Sequence, residues 1–485
     1  MTLDPNTCYR ALKARDARFD GRFFVAVSST RIYCRPVCTV KPPRRENCRF
    51  YPSAAAAESG GYRPCLRCRP ELAPGNASVD ATSRLAQAAA SMMEDRTLDE
   101  EGLDSVATRL GITDRHLRRA FGAEFGVSPV EFAQTQRLLL AKRLLTDTVL
   151  PVTEVAFASG FGSVRRFNAL FKQRYRFQPG QLRKHMHGRG AVASDALNFE
   201  LSFRPPYDWP AVSAFLAARA IAGVESVEAG RYRRTVRIGV DGKPSSEAMR
   251  GWIEVSLSPK KPALRVAVSA SLAKALPPVL SRVKALMDLS CNPAEIARAL
   301  GALAKGRPGL RVPGAFDGFE MAVRAILGQQ VSVVAARTVV GRFAAAFGDP
   351  VDTPFELLNR IFPMAERVAE LPYGRIARLG MPGARARSVI ALARAVADGK
   401  LVLMPNADIE ATLDQLRALP GVGEWTAQYI AMRALAWPDA FPHTDLVVKK
   451  ALGETDARKV LAAGEVWRPW RAYAVMHLWN SLTKE

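Results

Sequence analysis

Four of the seven cysteines in this 485-residue chain fall in one short window, in "YCRPVC" (33–38) and "RPCLRC" (63–68). Cys34 and Cys38 form a C-x3-C pair and Cys65 and Cys68 a C-x2-C pair, with 26 residues between the pairs. Four thiolates so spaced can surround one tetrahedral cation; zinc is the expected ion, and other thiophilic metals share the preference. Cys8, Cys48 and Cys291 are scattered, too few for a disulfide framework. Spacing leaves two chemistries open. The cluster is either a clip that holds a small domain together, or a site where one metal-bound thiolate acts as a nucleophile.

A second constellation lies near the C-terminus. "LPGVGEWTAQYIAMRAL" (419–435) reads as a tight turn opening a helix, in which Gly421 and Gly423 let the backbone bend and approach a ligand without a Cβ in the way. The free N–H groups at the start of the following helix suit a phosphate. Twenty-two residues after Gly423, Asp445 precedes the helical run "LVVKKAL" (446–452). It is a helix N-cap or a catalytic carboxylate.

These groups need scaffolds, and the chain is long enough for three or four domains. Soft joints are expected at 70–79, at 187–196 and around 289–293. Period-two alternation predicts strands over 232–240, 251–257 and 263–269, and helical patterns dominate from 291 onward. One repeat stands out: "LDSVATRLGITDRHLRRAFGAEFGVSP" (103–129) is echoed by "VTEVAFASGFGSVRRFNALFKQRYRFQP" (152–179). Each copy joins a short helix to a turn and then to a helix with apolar residues on one face and arginines on the other. That is a helix-turn-helix pattern, twice, with Arg115, Arg118, Arg119, Arg165 and Arg166 as candidate DNA contacts.

The formal net charge is +23, with 31 basic against 18 acidic residues in 1–190 and 38 against 28 in the rest. An excess in both parts calls for a polyanion along the whole length, and nucleic acid fits. No apolar run reaches bilayer length, and the first thirty residues hold no signal-like stretch. A cytoplasmic protein with no membrane partner is expected.

The stretch from "FFVAVSSTRIYCRPVC" to "RPCLRCRPE" resembles the Ada methylphosphotriester repair domain, cysteine spacing included, and the double helix-turn-helix is similar to an AraC-type regulator. The resemblance implies one Zn2+ held by Cys34, Cys38, Cys65 and Cys68, with Cys34 accepting a methyl group from a DNA phosphotriester. A cation keeps the thiol ionised and so competent for attack. Four thiolates on a divalent ion carry a net 2−, and methylating one leaves 1−, which weakens repulsion from DNA. The Pro-Cys-His-Arg string of the family's O6-alkylguanine domain is absent.

The second half resembles the AlkA-type 3-methyladenine DNA glycosylases of the helix-hairpin-helix superfamily. The matching stretches are "PPYDW", "FLAAR", "LSCNP", "RPGLRVPGAFDGFEMAVRAILGQQVS", "PGVGEWTA" and "WRPWRAYAVMHLW", across 199–482. The implied reaction is hydrolysis of an N-glycosidic bond after base flipping, with Asp445 as the catalytic carboxylate and no cofactor. Phe215, Trp425, Tyr429 and Trp479 are then the base pocket, and Gly421, Gly423 and the wedge residue Gln330 contact DNA. Leucine is expected at the wedge, and tyrosine at the pocket positions held by Leu446 and Asn480, so the range of bases accepted is open. Strand-cutting relatives carry a lysine two residues after the second hairpin glycine. Here that residue is Trp425, which implies a glycosylase without lyase activity.

The expected fold is therefore multidomain, mainly α with α+β parts. It comprises a small four-cysteine zinc domain (1–78), a double helix-turn-helix domain (79–188), an α+β domain (196–290) and a helix-hairpin-helix glycosylase domain (291–485). Expected partners are damaged and promoter double-stranded DNA and RNA polymerase. A monomer suffices, because two reading units share one chain. The alternatives are a regulator whose glycosylase-like half only binds DNA, and a repair enzyme whose helix-turn-helix units only anchor it.

Overall fold

A computed structural model describes residues 4–74, 81–94, 102–110, 112–186, 196–239, 247–405 and 408–482. The joint expected at 187–196 and the end of the one at 70–79 lie largely outside these residues.

After helix α1 (Pro5–Ala14), strands β1 (Phe24–Val27), β2 (Ile32–Cys34), β3 (Cys48–Tyr51) and β4 (Arg63–Pro64) form a sheet in the order β3-β1-β2-β4. The parallel pairing of β2 with β4 matches Tyr33 to Pro64, and the Cys65 N–H donates to Tyr33 O at 3.0 Å. This register carries the second cysteine pair to the end of β2, where Cys34 sits. Helix α2 (Ala54–Ser59), capped by Ser53, covers the sheet.

Helices α3 (Ala81–Glu94), α4 (Gly102–Arg109) and α5 (Asp114–Phe125) make the first helix-turn-helix unit; α7 (Val152–Ala158), α8 (Val164–Tyr175) and α9 (Pro179–Met186) make the second. The 19-residue helix α6 (Pro129–Asp147), opened by a Ser128–Glu131 capping box, joins them. Both second helices start on a hydroxyl cap, Thr113 and Ser163.

The cysteine module is docked on α6 through buried polar groups. Lys142 pairs with Glu71 at 2.6 Å with both side chains at most 2% exposed, and Arg69 reaches Asp147 at 2.7 Å. Glu58 on α2 is buried against three elements: Tyr33 OH donates to its Oε1 at 3.0 Å, Tyr175 OH at 3.4 Å, and Thr135 Oγ1 donates to its Oε2 at 3.4 Å. Burial pushes the Glu58 carboxyl up to about 7, against the opposing pull of those hydroxyls and of Arg174. The folded state then holds a proton that the unfolded chain has released, so this contact contributes most on the acid side and weakens as pH rises through about 7. The unfolding temperature is expected to fall between about pH 4.5 and about pH 7 and to level off above that, and Glu58→Gln to flatten the slope. An unchanged slope in calorimetry would refute the assignment.

The next part is a five-stranded antiparallel sheet of β5 (Ala196–Ser202), β6 (Glu225–Glu228), β7 (Arg231–Ile238), β8 (Met249–Leu257) and β9 (Ala263–Ser269), in the order β5-β9-β8-β7-β6. Helix α10 (Trp209–Arg219) crosses it and α11 (Leu276–Leu286) follows. The three predicted strands are present. β5 and β6 were not signalled: β6 is four residues long and buries Glu225, which reads as a loop until Arg234 and Arg324 are seen to neutralise it. Leu144 and Phe171 of the helix-turn-helix region share one apolar cluster with Phe199 and Val266 of this sheet. The regulator-like and sheet regions are thus packed together.

The remaining helices are α12 (Pro293–Leu300), α13 (Gly318–Leu327), α14 (Val333–Phe347), α15 (Gly383–Ala397), α16 (Ile409–Ala418), α17 (Glu424–Arg433), α18 (Leu446–Leu452), α19 (Ala457–Gly464) and α20 (Arg471–Ser481), with two one-turn helices between α14 and α15. One apolar cluster runs through them. No helix among the described residues is long and apolar enough to cross a membrane.

Candidate functional sites: a thiol cluster and an aromatic cleft

The four Sγ atoms of Cys34, Cys38, Cys65 and Cys68 lie within 4.8 Å of one another. Tetrahedral zinc with Zn–S near 2.3 Å needs sulfurs about 3.8 Å apart, so the cluster fits one such ion. Cys34, Cys38 and Cys65 are buried and Cys68 is half-buried. Their surroundings differ in a way that spacing cannot show. Cys68 Sγ accepts the Arg35 N–H at 3.4 Å, while the Val40 and Cys68 N–H groups serve Cys38 and Cys65. Arg35 itself is held in an ion pair with buried Asp20 and donates to Cys68 O at 3.3 Å.

The second site assembles from α10, α17, α18 and α20. Asp445 is the N-cap of α18, its Oδ1 accepting the N–H groups of Val447 at 2.9 Å and Val448 at 3.0 Å. The same carboxylate accepts the indole N–H of Trp425 on Oδ2 at 2.7 Å and that of Trp479 on Oδ1 at 3.1 Å. The capping role and a site role coexist. Trp425 stacks on Tyr429 with ring centroids 5.1 Å apart and planes 7° from parallel. Phe215 faces Trp479 at 6.4 Å and 11°.

Two guanidinium groups also lie over Phe215, Arg219 at 3.8 Å and Arg433 at 4.7 Å from its centroid. Phe215 is therefore a wall already engaged by cations rather than a free stacking face. Arg433 donates to Tyr429 OH at 2.8 Å. Burial pushes the Tyr429 phenol up, but the charges of Arg433, Arg219 and Arg324 outweigh it and hold the group below its ordinary value.

Leu446, the first residue of α18, is 80% exposed beside Asp445. Asn480 accepts from Arg307 at 3.0 Å and donates to Met476 O at 2.8 Å.

The hairpin glycines differ as well. Gly421 has φ +77° and a Cβ there would lie 2.5 Å from Ser388 Oγ. Gly423 has φ −92° with open space around its Cβ position, and is the N-cap of α17 without a side-chain cap bond. Only the first glycine is required by the turn. Gln330 is exposed with φ +53° in the loop between α13 and α14. Arg115, Arg118, Arg119, Arg165 and Arg166 lie on the two second helices, Arg118 paired with Asp114 at 2.7 Å. All five are exposed.

Comparison with known proteins covers the chain in four pieces. Family models match for the metal binding domain of Ada (residues 7–71), a helix-turn-helix domain (106–185), the AlkA N-terminal domain (198–317) and the HhH-GPD superfamily base excision DNA repair protein (323–461). A "probable bifunctional transcriptional activator/DNA repair enzyme AlkA" of Mycobacterium tuberculosis is 40% identical over 99% of this chain and 97% of its own length. The chain belongs to this family. The DNA-3-methyladenine glycosylase 2 of Escherichia coli is 36% identical over 58% of this chain and 96% of that protein. The E. coli bifunctional activator/repair enzyme Ada is 36% identical over 28% of this chain and 36% of that protein. The four-cysteine cluster is the zinc site of the Ada-type module, and DNA is the family's partner.

Arg219, Arg433 and Gln329 carry no motif of their own in the sequence. Arg433 also donates to Pro313 O and Gly314 O, and Gln329 to Gly421 O and Thr426 Oγ1, all about 90 or more residues away.

Proposed function

We propose that the chain is both an alkylation-responsive regulator and a DNA-3-methyladenine glycosylase of the monofunctional type, divided as 1–78, 79–188, 196–290 and 291–485. The observation that carries the glycosylase reading is the Asp445 carboxylate, fixed by two indole N–H groups and a helix N-terminus at the edge of an aromatic cleft.

The alkylated purine is extruded from the duplex with Gln330 entering the gap, and lies against the tryptophan faces, where a cationic ring is favoured. The C1′–N bond breaks with its electron pair going to the base, which leaves neutral, and positive charge develops on the sugar. Asp445 meets that charge without reorganising. Oδ1 is saturated by three donors, whereas among the described residues Oδ2 accepts Trp425 alone and has a lone pair left for the sugar or for water. Water then adds to C1′ and gives up a proton. No amine nucleophile stands at position 425, so the strand stays uncut.

In the thiol cluster, zinc keeps the cysteines ionised. Cys34 Sγ attacks the methyl carbon of a phosphotriester; the S–C bond forms, the C–O bond breaks, and a phosphodiester departs with the electrons. The site loses one negative charge and binds DNA better. The exposed arginines of α5 and α8 enter successive major grooves of promoter DNA. RNA polymerase is the partner of the activated regulator, and the chain works as a cytoplasmic monomer.

The test is to incubate the protein with methylated duplex DNA and chromatograph the free bases. Release of 3-methyladenine with the strand intact supports the proposal; binding without release leaves a DNA-binding half that does no chemistry. The hairpin offers a finer check. Gly421→Ala is expected to destabilise by about 1–2 kcal/mol, from left-handed backbone and the Ser388 clash. Gly423→Ala should melt like the parent yet bind DNA more weakly, as seen by fluorescence anisotropy.

A further inference from the structure

Gln329 precedes the wedge residue and makes a bridge that the reaction above does not use. Its Nε2 donates to Gly421 O at 2.9 Å and to Thr426 Oγ1 at 2.8 Å, while its own backbone carbonyl accepts from Arg385 Nη2 at 2.8 Å. One amide therefore clasps the hairpin turn and the first turn of α17, spanning Gly423, and α15 holds the backbone from the other side. The next residue, Gln330, is a non-glycine residue at φ +53°, a conformation that persists only where neighbours over-determine it. Thr426 is 2% exposed, so the anchor is rigid.

We propose that Gln329 is a positioning residue for base flipping, locking the wedge loop to the strand-gripping hairpin so that Gln330 enters the duplex at a fixed distance from the gripped backbone. This rests on the glycosylase reading. An amide suits this role, since its two N–H donors serve two acceptors on opposite sides of the turn without a charge that would repel phosphate. A methionine of similar length has no donor, and a glutamate has none and adds a negative charge.

The test uses the full chain and a duplex carrying one 3-methyladenine, either paired with thymine or opposite a one-nucleotide gap, where little pairing energy opposes extrusion. Single-turnover release by Gln329→Met is expected to fall about tenfold on the paired duplex, the order of one or two lost hydrogen bonds, and to change little on the gapped one. Thr426→Val should give a smaller loss of the same kind, and the double variant should lose no more than Gln329→Met alone. Equal slowing on both duplexes would make Gln329 a purely structural brace and overturn the proposal, as would an unaltered paired rate. If the parent releases no base from either duplex, the glycosylase reading fails instead. If Gln329→Met does not fold, Thr426→Val read on the two duplexes decides the matter alone.

Discussion

Asp445→Asn is expected to lower release of alkylated bases by roughly 10²–10³-fold, the cost of removing one charge-stabilising group from a preorganised site. The substitution is informative because it spares the scaffold. Asn is as good a helix cap as Asp, so the Val447 and Val448 N–H groups stay satisfied. Its amide cannot serve both indoles, however. If the Asn oxygen takes Oδ1's place, the NH2 group faces Trp425 Nε1, donor against donor. The charge and the clamp on one ring are lost together, while DNA binding, set by the hairpin and the basic surface, should persist. Asp445→Ala would remove the cap as well and cost about 1 kcal/mol of stability. Release near the parent rate by the Asn variant, with unchanged affinity, would mean that the carboxylate is only a cap.

The second large effect concerns the thiol cluster. After incubation with DNA bearing methylphosphotriesters, the peptide containing Cys34 is expected to be one methyl group heavier, with Cys38, Cys65 and Cys68 unmodified. Cys34→Ser should abolish uptake completely, because a hydroxyl at neutral pH is not the anion that attacks. Methyl on Cys68, the most exposed of the four, would show that access selects the acceptor. No methyl on any cysteine, with metal retained, would make the cluster a clip.

Much of this chemistry was legible in residue order. Four thiols at short spacings, two glycines in a five-residue turn, an aspartate one step before a helix and a duplicated helix-turn-helix pattern are all local. Local patterns survive folding because the groups concerned are tied by a few bonds of backbone. The strands of β7, β8 and β9 were legible for the same reason, since burying one face imposes alternation along each of them.

Other features depended on tertiary packing. Trp425 and Trp479 meet on one carboxylate from 20 and 34 residues away on different helices, which makes Asp445 a clamped charge as well as a cap. Spacing treated Gly421 and Gly423 alike; only the backbone angles show that the turn requires the first and leaves space around the second. Asn480 is tied to Arg307, 173 residues away along the chain. Glu58 carries no signal of its role in its own stretch of alanines. It is buried because α6 and α8 arrive over it with Thr135 and Tyr175. Side-chain types along the chain determined which chemistries were available, whereas burial and hydrogen-bond partners depend on surfaces that meet only when distant helices pack, and these decided which oxygen, sulfur or amide is left to act.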